Sequence, residues 1–342
     1  MRQALLTIAI AAVFVGSTIA ANACSSFVFD TPQGNQIHGR TMELGFEAGE
    51  RFMIAPRGYD LLGVEGPVGY VGMRHADTEW VSSGMNEYGL SVEGNALAAS
   101  KYAPAGESKY NYLNIGAYVL ANAKSVDEAV ELLKKTKVST TKIAVANYVE
   151  VGMHFSIVDP KRRIVVEWQD GSGYPMIFEN HLGAMSNDPI YQQQLHDAKA
   201  MLDMQGETLD TGRVKASEQK FAGFDKSPQG RFQQAVALNY VLDKSVINSD
   251  LDAVNTAWSM VNMFDIPRGT LYWRWLSPEP QMAGYSIVSD TKNADYYFRT
   301  YDNLTVRKVD VDKIDWENAK YEERPIFGTL KATGYTNFVA VN

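Results

Sequence analysis

The chain has 342 residues, 45% of them hydrophobic and 11% aromatic, with 40 acidic against 32 basic side chains and a formal charge of −8. That is ample apolar material for a folded core, which excludes a disordered chain. The acidic balance, with no run of Lys and Arg to meet a phosphate backbone, excludes a nucleic-acid partner.

Residues 1–23 carry the parts of a secretory signal: Arg2, a nearly unbroken apolar stretch over 4–16, and Ala21-Asn22-Ala23 as a small-x-small cleavage site. The apolar stretch is shorter than the roughly 20 residues of a membrane-spanning helix, and no later stretch of that length is free of charge, so no transmembrane segment is expected. Cleavage after Ala23 would start the mature chain at Cys24, raise the net charge to −9 by removing Arg2, and send the protein to the periplasm or out of the cell. No linker, repeat or low-complexity tract divides the remainder, so a single domain over 24–342 is expected.

The mature chain opens with the β-prone run 25–29, turn residues Thr-Pro-Gln-Gly-Asn at 31–35, and a second extended run over 37–44, together a hairpin. Further β-rich segments at 51–56, 69–73 and 80–95, the last broken by the turn Asn86-Glu87-Tyr88-Gly89-Leu90, predict a meander. Helices follow at 112–122 and 125–135, where Ser125 and Glu128 form a capping box. Strands return at 152–159 and 163–169 across an Asp-Pro-Lys-Arg turn, then at 174–179; helices are expected at 191–204, 231–242 and 251–261. The last strands fall at 270–277, 283–289, 294–301 and 304–309, and the cluster Tyr272, Trp273 and Trp275 is assigned to the core, or otherwise to an acyl pocket. Strand groups interleaved with helix pairs and joined by short connections predict layered α and β structure with antiparallel sheets.

Cys24 is the only cysteine, so no internal disulfide can form. A lone exported thiol immediately after a cleavage site has three readings: a nucleophile, a small buried hydrophobe, or the acylated anchor of a lipoprotein. The anchor reading fits poorly, because Ala21 and Asn22 stand where a lipoprotein signal carries a long or branched aliphatic residue and then a small one.

An N-terminal thiol has a base within its own residue. The α-amino group has a reference pKa of about 7.7–8.0 and, when neutral, can take the thiol proton directly or through water. Such a site also needs a cation to favour the thiolate, an acceptor for the ammonium, and donors for the oxyanion. Arg40 and Glu43, on the second strand of the hairpin, return beside Cys24. The five histidines are scattered, with no His-Glu-x-x-His helix, no phosphate loop and no Gly-x-Ser-x-Gly elbow, so neither metal nor cofactor is expected.

The ordered set Cys24-Ser-Ser-Phe-Val-Phe, Gly39-Arg40-Thr41-Met42-Glu43, Met85-Asn86-Glu87-Tyr88-Gly89-Leu90, Met185-Ser186-Asn187-Asp188-Pro189, Ser227-Pro228-Gln229-Gly230-Arg231-Phe232 and the late 295–302 strand resembles the choloylglycine hydrolase family of penicillin V acylases and conjugated bile salt hydrolases. The resemblance implies an α+β fold, the four-layer αββα sandwich of N-terminal nucleophile hydrolases, and hydrolysis of linear amides through a thioester. It implies Cys24 as nucleophile, Arg40 beside the thiolate, Glu43 at the ammonium where the family has Asp, Asn187 near substrate and amine, and Arg231 ordering the site. The family's oxyanion Asn falls on Ala96, with Asn95 one residue early, so Asn95 is expected to need a β-bulge to serve. Leu44 replaces a family Trp, which implies a different acyl pocket.

The implied substrate is a small N-acyl amide such as penicillin V, a conjugated bile acid or an N-acyl homoserine lactone, and the implied assembly a homotetramer. A non-catalytic lipid-anchored or ligand-binding protein on the same scaffold is the alternative, and a Cys–His hydrolase of papain type is a third.

Overall fold

The computed structural model of the protein describes residues 24–44, 49–76, 78–142, 152–201, 225–272 and 278–327. The opening hairpin forms as the sequence predicts, with β1 (Ser25–Asp30) against β2 (Gln36–Leu44) in the register Ser25↔Thr41 to Asp30↔Gln36. Its turn closes on Thr31 and Asn35, whose side-chain amide donates to Asp250 at 3.0 Å and to Asp290 at 2.7 Å.

β3 (Glu50–Ala55), β4 (Tyr70–His75), β5 (Val81–Asn86) and β6 (Ser91–Ala96) form the expected meander, continued by β7 (Met153–Val158), β8 (Arg163–Glu167) and β9 (Met176–Glu179). Gly89 ends the β5–β6 turn at φ +78, and a Cβ there would stand 1.9 Å from the Thr291 carbonyl oxygen, so only glycine fits. β14 (Glu322–Pro325), which the sequence did not suggest, pairs with β3 and completes an eight-stranded antiparallel sheet.

The hairpin belongs to a six-stranded antiparallel sheet in the order β10-β1-β2-β11-β12-β13, built from β10 (Ala184–Met185), β11 (Met282–Asp290), β12 (Asp295–Thr300) and β13 (Asn303–Asp310). β10 is too short to carry a periodicity and was missed. Of the strand expected at 270–277, only an isolated bridge between Tyr272 and Pro280 lies among the described residues. Tyr272 is 41% exposed and is not core; Trp273 and Trp275 lie outside the described residues, as do the signal expected at 1–23 and residues 328–342.

α1 (Ile115–Asn122) packs on β5 and β6, with α2 (Val126–Leu133) beside it. Ser125 Oγ accepts from the Glu128 N–H, and the Glu128 carboxylate returns to the N–H of Lys124. α3 (Tyr191–Met201), α4 (Pro228–Val241) and α5 (Asp250–Phe264) lie together on the other side, with α4 on β1 and β10 and α5 on β2 and β11. α4 begins three residues before the predicted start, because Ser227 caps it and Pro228 fits its first turn. The order helices, sheet, sheet, helices is the expected αββα sandwich.

Because both sheets are covered on both faces, β2 is buried along its whole length and shows no simple apolar alternation. Ile37 packs among the helices of α3 to α5, while Met42 and Leu44 join the core shared with the eight-stranded sheet. Phe27 fills the space over Gly39, where a Cβ would meet the ring at 2.2 Å, which locks the two strands of the hairpin together.

Candidate active site

The hairpin register places Cys24 opposite Met42, one step beyond the Ser25↔Thr41 pair, with the residue 2% exposed. Its sulfur lies 3.3 Å from Met42 Sδ and 3.9 Å from Arg40 Nη2. Side chains of a strand alternate, so residues 40 and 42 both face the second sheet, where the thiol is. Burial raises the thiol above its ordinary range, and the Arg40 charge opposes that rise.

Arg40 is fully buried and crosses between the sheets. Nη2 donates to the Gly94 carbonyl at 2.7 Å and contacts Met42 Sδ at 3.0 Å; Nη1 donates to the Ser82 carbonyl and the Tyr285 hydroxyl, each at 3.1 Å. Its counter-charge is Glu93 on β6, with Oε2 3.5 Å from Nη1 and both side chains fully buried. Burial alone would lower the pKa of Arg40, but Tyr285, Cys24 and Glu93 raise it above its ordinary value, so the guanidinium stays charged.

On the main-chain side, the Cys24 nitrogen donates to Asn187 Oδ1 at 2.9 Å, and Arg231 Nη2 donates to the same oxygen at 2.9 Å. Arg231 also donates through Nη1 to the Cys24 carbonyl at 2.6 Å and to Ser25 Oγ at 2.8 Å. Its position follows from the early start of α4, which puts Arg231 in the first turns over the beginning of β1. Asn187 Nδ2 donates to the Ala96 carbonyl at 2.8 Å, and Gln194 of α3 holds the Asn187 carbonyl, so the amide is fixed at both ends. Cys24, Arg40, Asn187 and Arg231, far apart in sequence, therefore converge.

Glu43 is placed differently. Three residues beyond Arg40, it falls on the opposite face of β2, toward Arg231 and Asp265 in the helical layer. It is fully buried, with the Arg231 charge and the Thr41 hydroxyl favouring its ionised form, while the Cys24 nitrogen donates to Asn187. Burial, opposed chiefly by the Arg231 charge, pushes its carboxyl up to about 7.

Asn95 needs no bulge. The β6–β7 ladder runs unbroken from Ser91↔Val158 to Ala96↔Met153, and plain alternation turns Ser91, Glu93 and Asn95 toward the six-stranded sheet, where they meet His38, Arg40 and the Ser186 carbonyl. The motif-aligned Ala96 is the residue that faces away. Asn95 Nδ2 donates to Ser186 at 2.9 Å, and its Oδ1 is buried without a partner.

The Ser186 carbonyl also meets His154 Nε2 at 2.8 Å, while His154 Nδ1 lies 2.8 Å from Glu167 Oε1. His38 lies between the Ser26 and Ser91 hydroxyls, and His75 bonds Ser82. Burial, with Arg40 nearby, lowers the pKa of both rings far enough to keep them neutral, to about 3 for His38. None of these histidines bonds the thiol, which lies beside Met42, Arg40 and the main chain of Glu43.

The sequence reading missed Met42, Glu93, Ser82 and Tyr285. Glu93 had a signal: Ser91, Glu93 and Asn95 are polar at alternate positions of a strand buried on both faces. For metals, the one carboxylate trio among the described residues is Asp295, Asp310 and Asp312, where Lys308 and Lys313 already supply the opposite charge. No helix among the described residues is long and apolar enough to cross a membrane.

A sequence model of the linear amide C–N hydrolases, choloylglycine hydrolase family, matches residues 24–321. The bile salt hydrolase/transferase of Clostridium perfringens is 21% identical over 315 residues, covering 85% of this chain and 93% of that protein. That of Bifidobacterium longum is 25% identical over 327 residues, covering 87% and 98%. A variant of the conjugated bile acid hydrolase of C. perfringens superposes with a TM-score of 0.71 at 20% identity, covering 88% of this chain and 96% of that one. The penicillin V acylase of Agrobacterium tumefaciens gives 0.70 at 22% identity, covering 88% and 91%.

Proposed function

We propose, for a chain that belongs to the choloylglycine hydrolase family and is a linear amide C–N hydrolase, that Cys24 is its nucleophile and becomes active when residues 1–23 are removed. The observation that carries this reading is the shared Asn187 oxygen, which holds the Cys24 nitrogen and Arg231 together while the thiol lies beside Arg40.

Cleavage before Cys24 turns its amide nitrogen into an amine at the same place. Arg231 beside it disfavours a second positive charge, which favours the neutral, proton-accepting amine. The amine takes the thiol proton as sulfur attacks the acyl carbonyl. The oxyanion forms within reach of amide donors, with Asn95 Nδ2 the side-chain candidate. Collapse breaks the C–N bond, the ammonium protonates the leaving amine, and an acyl thioester remains on Cys24. Water then attacks the thioester with its proton going to the amine, and the carboxylic acid leaves as the thiol is restored.

The substrate class is an N-acyl amide: penicillin V, glycine- or taurine-conjugated bile acids, or N-acyl homoserine lactones. Residues 1–23, read as a secretory signal, support a location in the periplasm or outside the cell. A buried thiol counts against a lipid anchor, since a diacylglyceryl group on Cys24 would have to leave the core. Mature protein is expected to release amine from at least one of these substrates, and Cys24→Ala to release none. Unchanged turnover in Cys24→Ala, or a diacylglyceryl adduct on Cys24 by mass spectrometry, would sink the proposal.

A further inference from the structure

Two acids and one guanidinium meet in the space between the sheets. Cys24 is 2% exposed, and Arg40 and Glu93 not at all. Arg40 presents Nη2 to the sulfur at 3.9 Å and Nη1 to Glu93 Oε2 at 3.5 Å. The second carboxylate oxygen of Glu93 accepts from Ser83 Oγ at 2.9 Å, and Ser83 in turn meets the Tyr296 hydroxyl at 2.7 Å. Oε2 has no hydrogen bond of its own, so its stabilisation as an anion rests on the Arg40 charge.

The other groups facing this space do not titrate with the pair. His38 of β2 and His75 of β4 stay neutral, through burial and the Arg40 charge. Tyr285 of β11 and Tyr296 of β12 are pushed above their ordinary range by burial, with Glu50 of β3 adding to the rise at Tyr285. From the other face of β2, the Glu43 carboxylate raises the thiol and Arg231 lowers it, so Glu43, itself pushed up to about 7, adds a background that is the same in every Glu93 variant. Between the sheets, then, one fixed positive charge serves two groups that can become negative. A single anion beside Arg40 is compensated, whereas two would leave an excess negative charge in a medium that solvates it poorly.

We infer that Glu93 competes with the Cys24 thiolate for Arg40, and so acts as a positioning residue that sets the pH at which the nucleophile ionises. An ionised Glu93 holds the thiol protonated; a neutral Glu93 leaves Arg40 to the thiolate. Burial pushes the Glu93 carboxyl up to about 8 even with Arg40 and Ser83 opposing it, and burial likewise raises the thiol against Arg40. The inference deepens the reading of Cys24 as nucleophile and rests on it for its meaning in turnover, but thiol ionisation can be followed without substrate.

The test is the pH dependence of Cys24 ionisation in the mature protein, followed by iodoacetamide alkylation and by ultraviolet absorbance less that of Cys24→Ser, which removes the tyrosinate signal and leaves that of the one cysteine. In Glu93→Gln the midpoint is expected to fall by about one to two pH units. Alkylation below the wild-type midpoint should then run about three- to tenfold faster, since the less basic thiolate is also the weaker nucleophile. Ser83→Ala, which removes a neutral donor from the Glu93 carboxylate and so favours its protonated form, should move the midpoint the same way by less. A midpoint unmoved or raised in folded Glu93→Gln overturns the inference; if that variant does not fold, an unmoved midpoint in Ser83→Ala does so. A lowered midpoint together with turnover that survives Cys24→Ala would keep the electrostatic coupling and sink only the nucleophile assignment.

Discussion

Arg40 Nη2 stands 3.9 Å from the Cys24 sulfur while its short contacts go to the Gly94 carbonyl and Met42 Sδ, so Arg40 faces the thiol as a charge and not as a tight donor. Removing that charge should raise the thiol further. Arg40→Gln is expected to lower kcat/KM by about 10²-fold or more, with the acid limb of the pH profile moved up. Arg40→Lys keeps the charge but cannot reach Ser82, Tyr285 and Gly94 together, so its activity should fall between the two. Steady-state kinetics across pH check both.

Asn187 is the neutral acceptor shared by Cys24 and Arg231. Asn187→Asp keeps an acceptor but adds a negative charge, which stabilises the ammonium form of the mature amine. The neutral base then appears only at higher pH, so the rising limb of kcat/KM should shift upward by about one unit. A profile that does not move would show that the amine is not the base.

Asn95 faces the site without a bulge, and Ala96 faces away. If Asn95 Nδ2 meets the oxyanion, Asn95→Ala should lower kcat by roughly 10²–10³-fold with little change in KM, as for other side-chain oxyanion donors. Asn95→Ala combined with Ala96→Asn should recover nothing, because the restored amide points to the wrong face of β6.

Glu43 has a stability signature. Its folded-state pKa of about 7 lies above the reference 4.5, so the folded chain holds this proton more tightly than the unfolded one. Stability should therefore fall as pH rises from 4.5 to about 7, by on the order of 3 kcal/mol if this carboxyl alone is counted. Glu43→Gln should flatten that slope and be the more stable form above pH 7, measured by thermal unfolding of the chain that still carries a residue before Cys24. In the mature enzyme the new amine adds a positive charge nearby, and the slope should be smaller.

These residues also show what the sequence could and could not tell. The hairpin, the meander and the lone Cys24 were legible because turn residues and extended runs are local signals, and Arg40, Asn187 and Arg231 because ordered motifs carried them. Glu43, three residues after Arg40 on a strand, takes the other face of β2, and only the ordered motif marked it as a site residue. Glu93, Ser82 and Tyr285 reach Arg40 from strands 42 to 245 positions away, and no spacing rule reports such pairs. β10 has two residues and β14 four, three of them charged and the last a proline, too little pattern to distinguish from a loop.

The turn at residues 31–35 lies about 20 Å from the thiol, at the far end of β1. Its length nonetheless decides which side chains the thiol meets. One residue more or fewer there would shift β2 by a single step and exchange the faces of Arg40 and Thr41, carrying the guanidinium into the helical layer and leaving Glu93 buried without a counter-charge. A short surface turn of this kind would ordinarily accept insertions freely. Here it should tolerate changes of residue and reject changes of length.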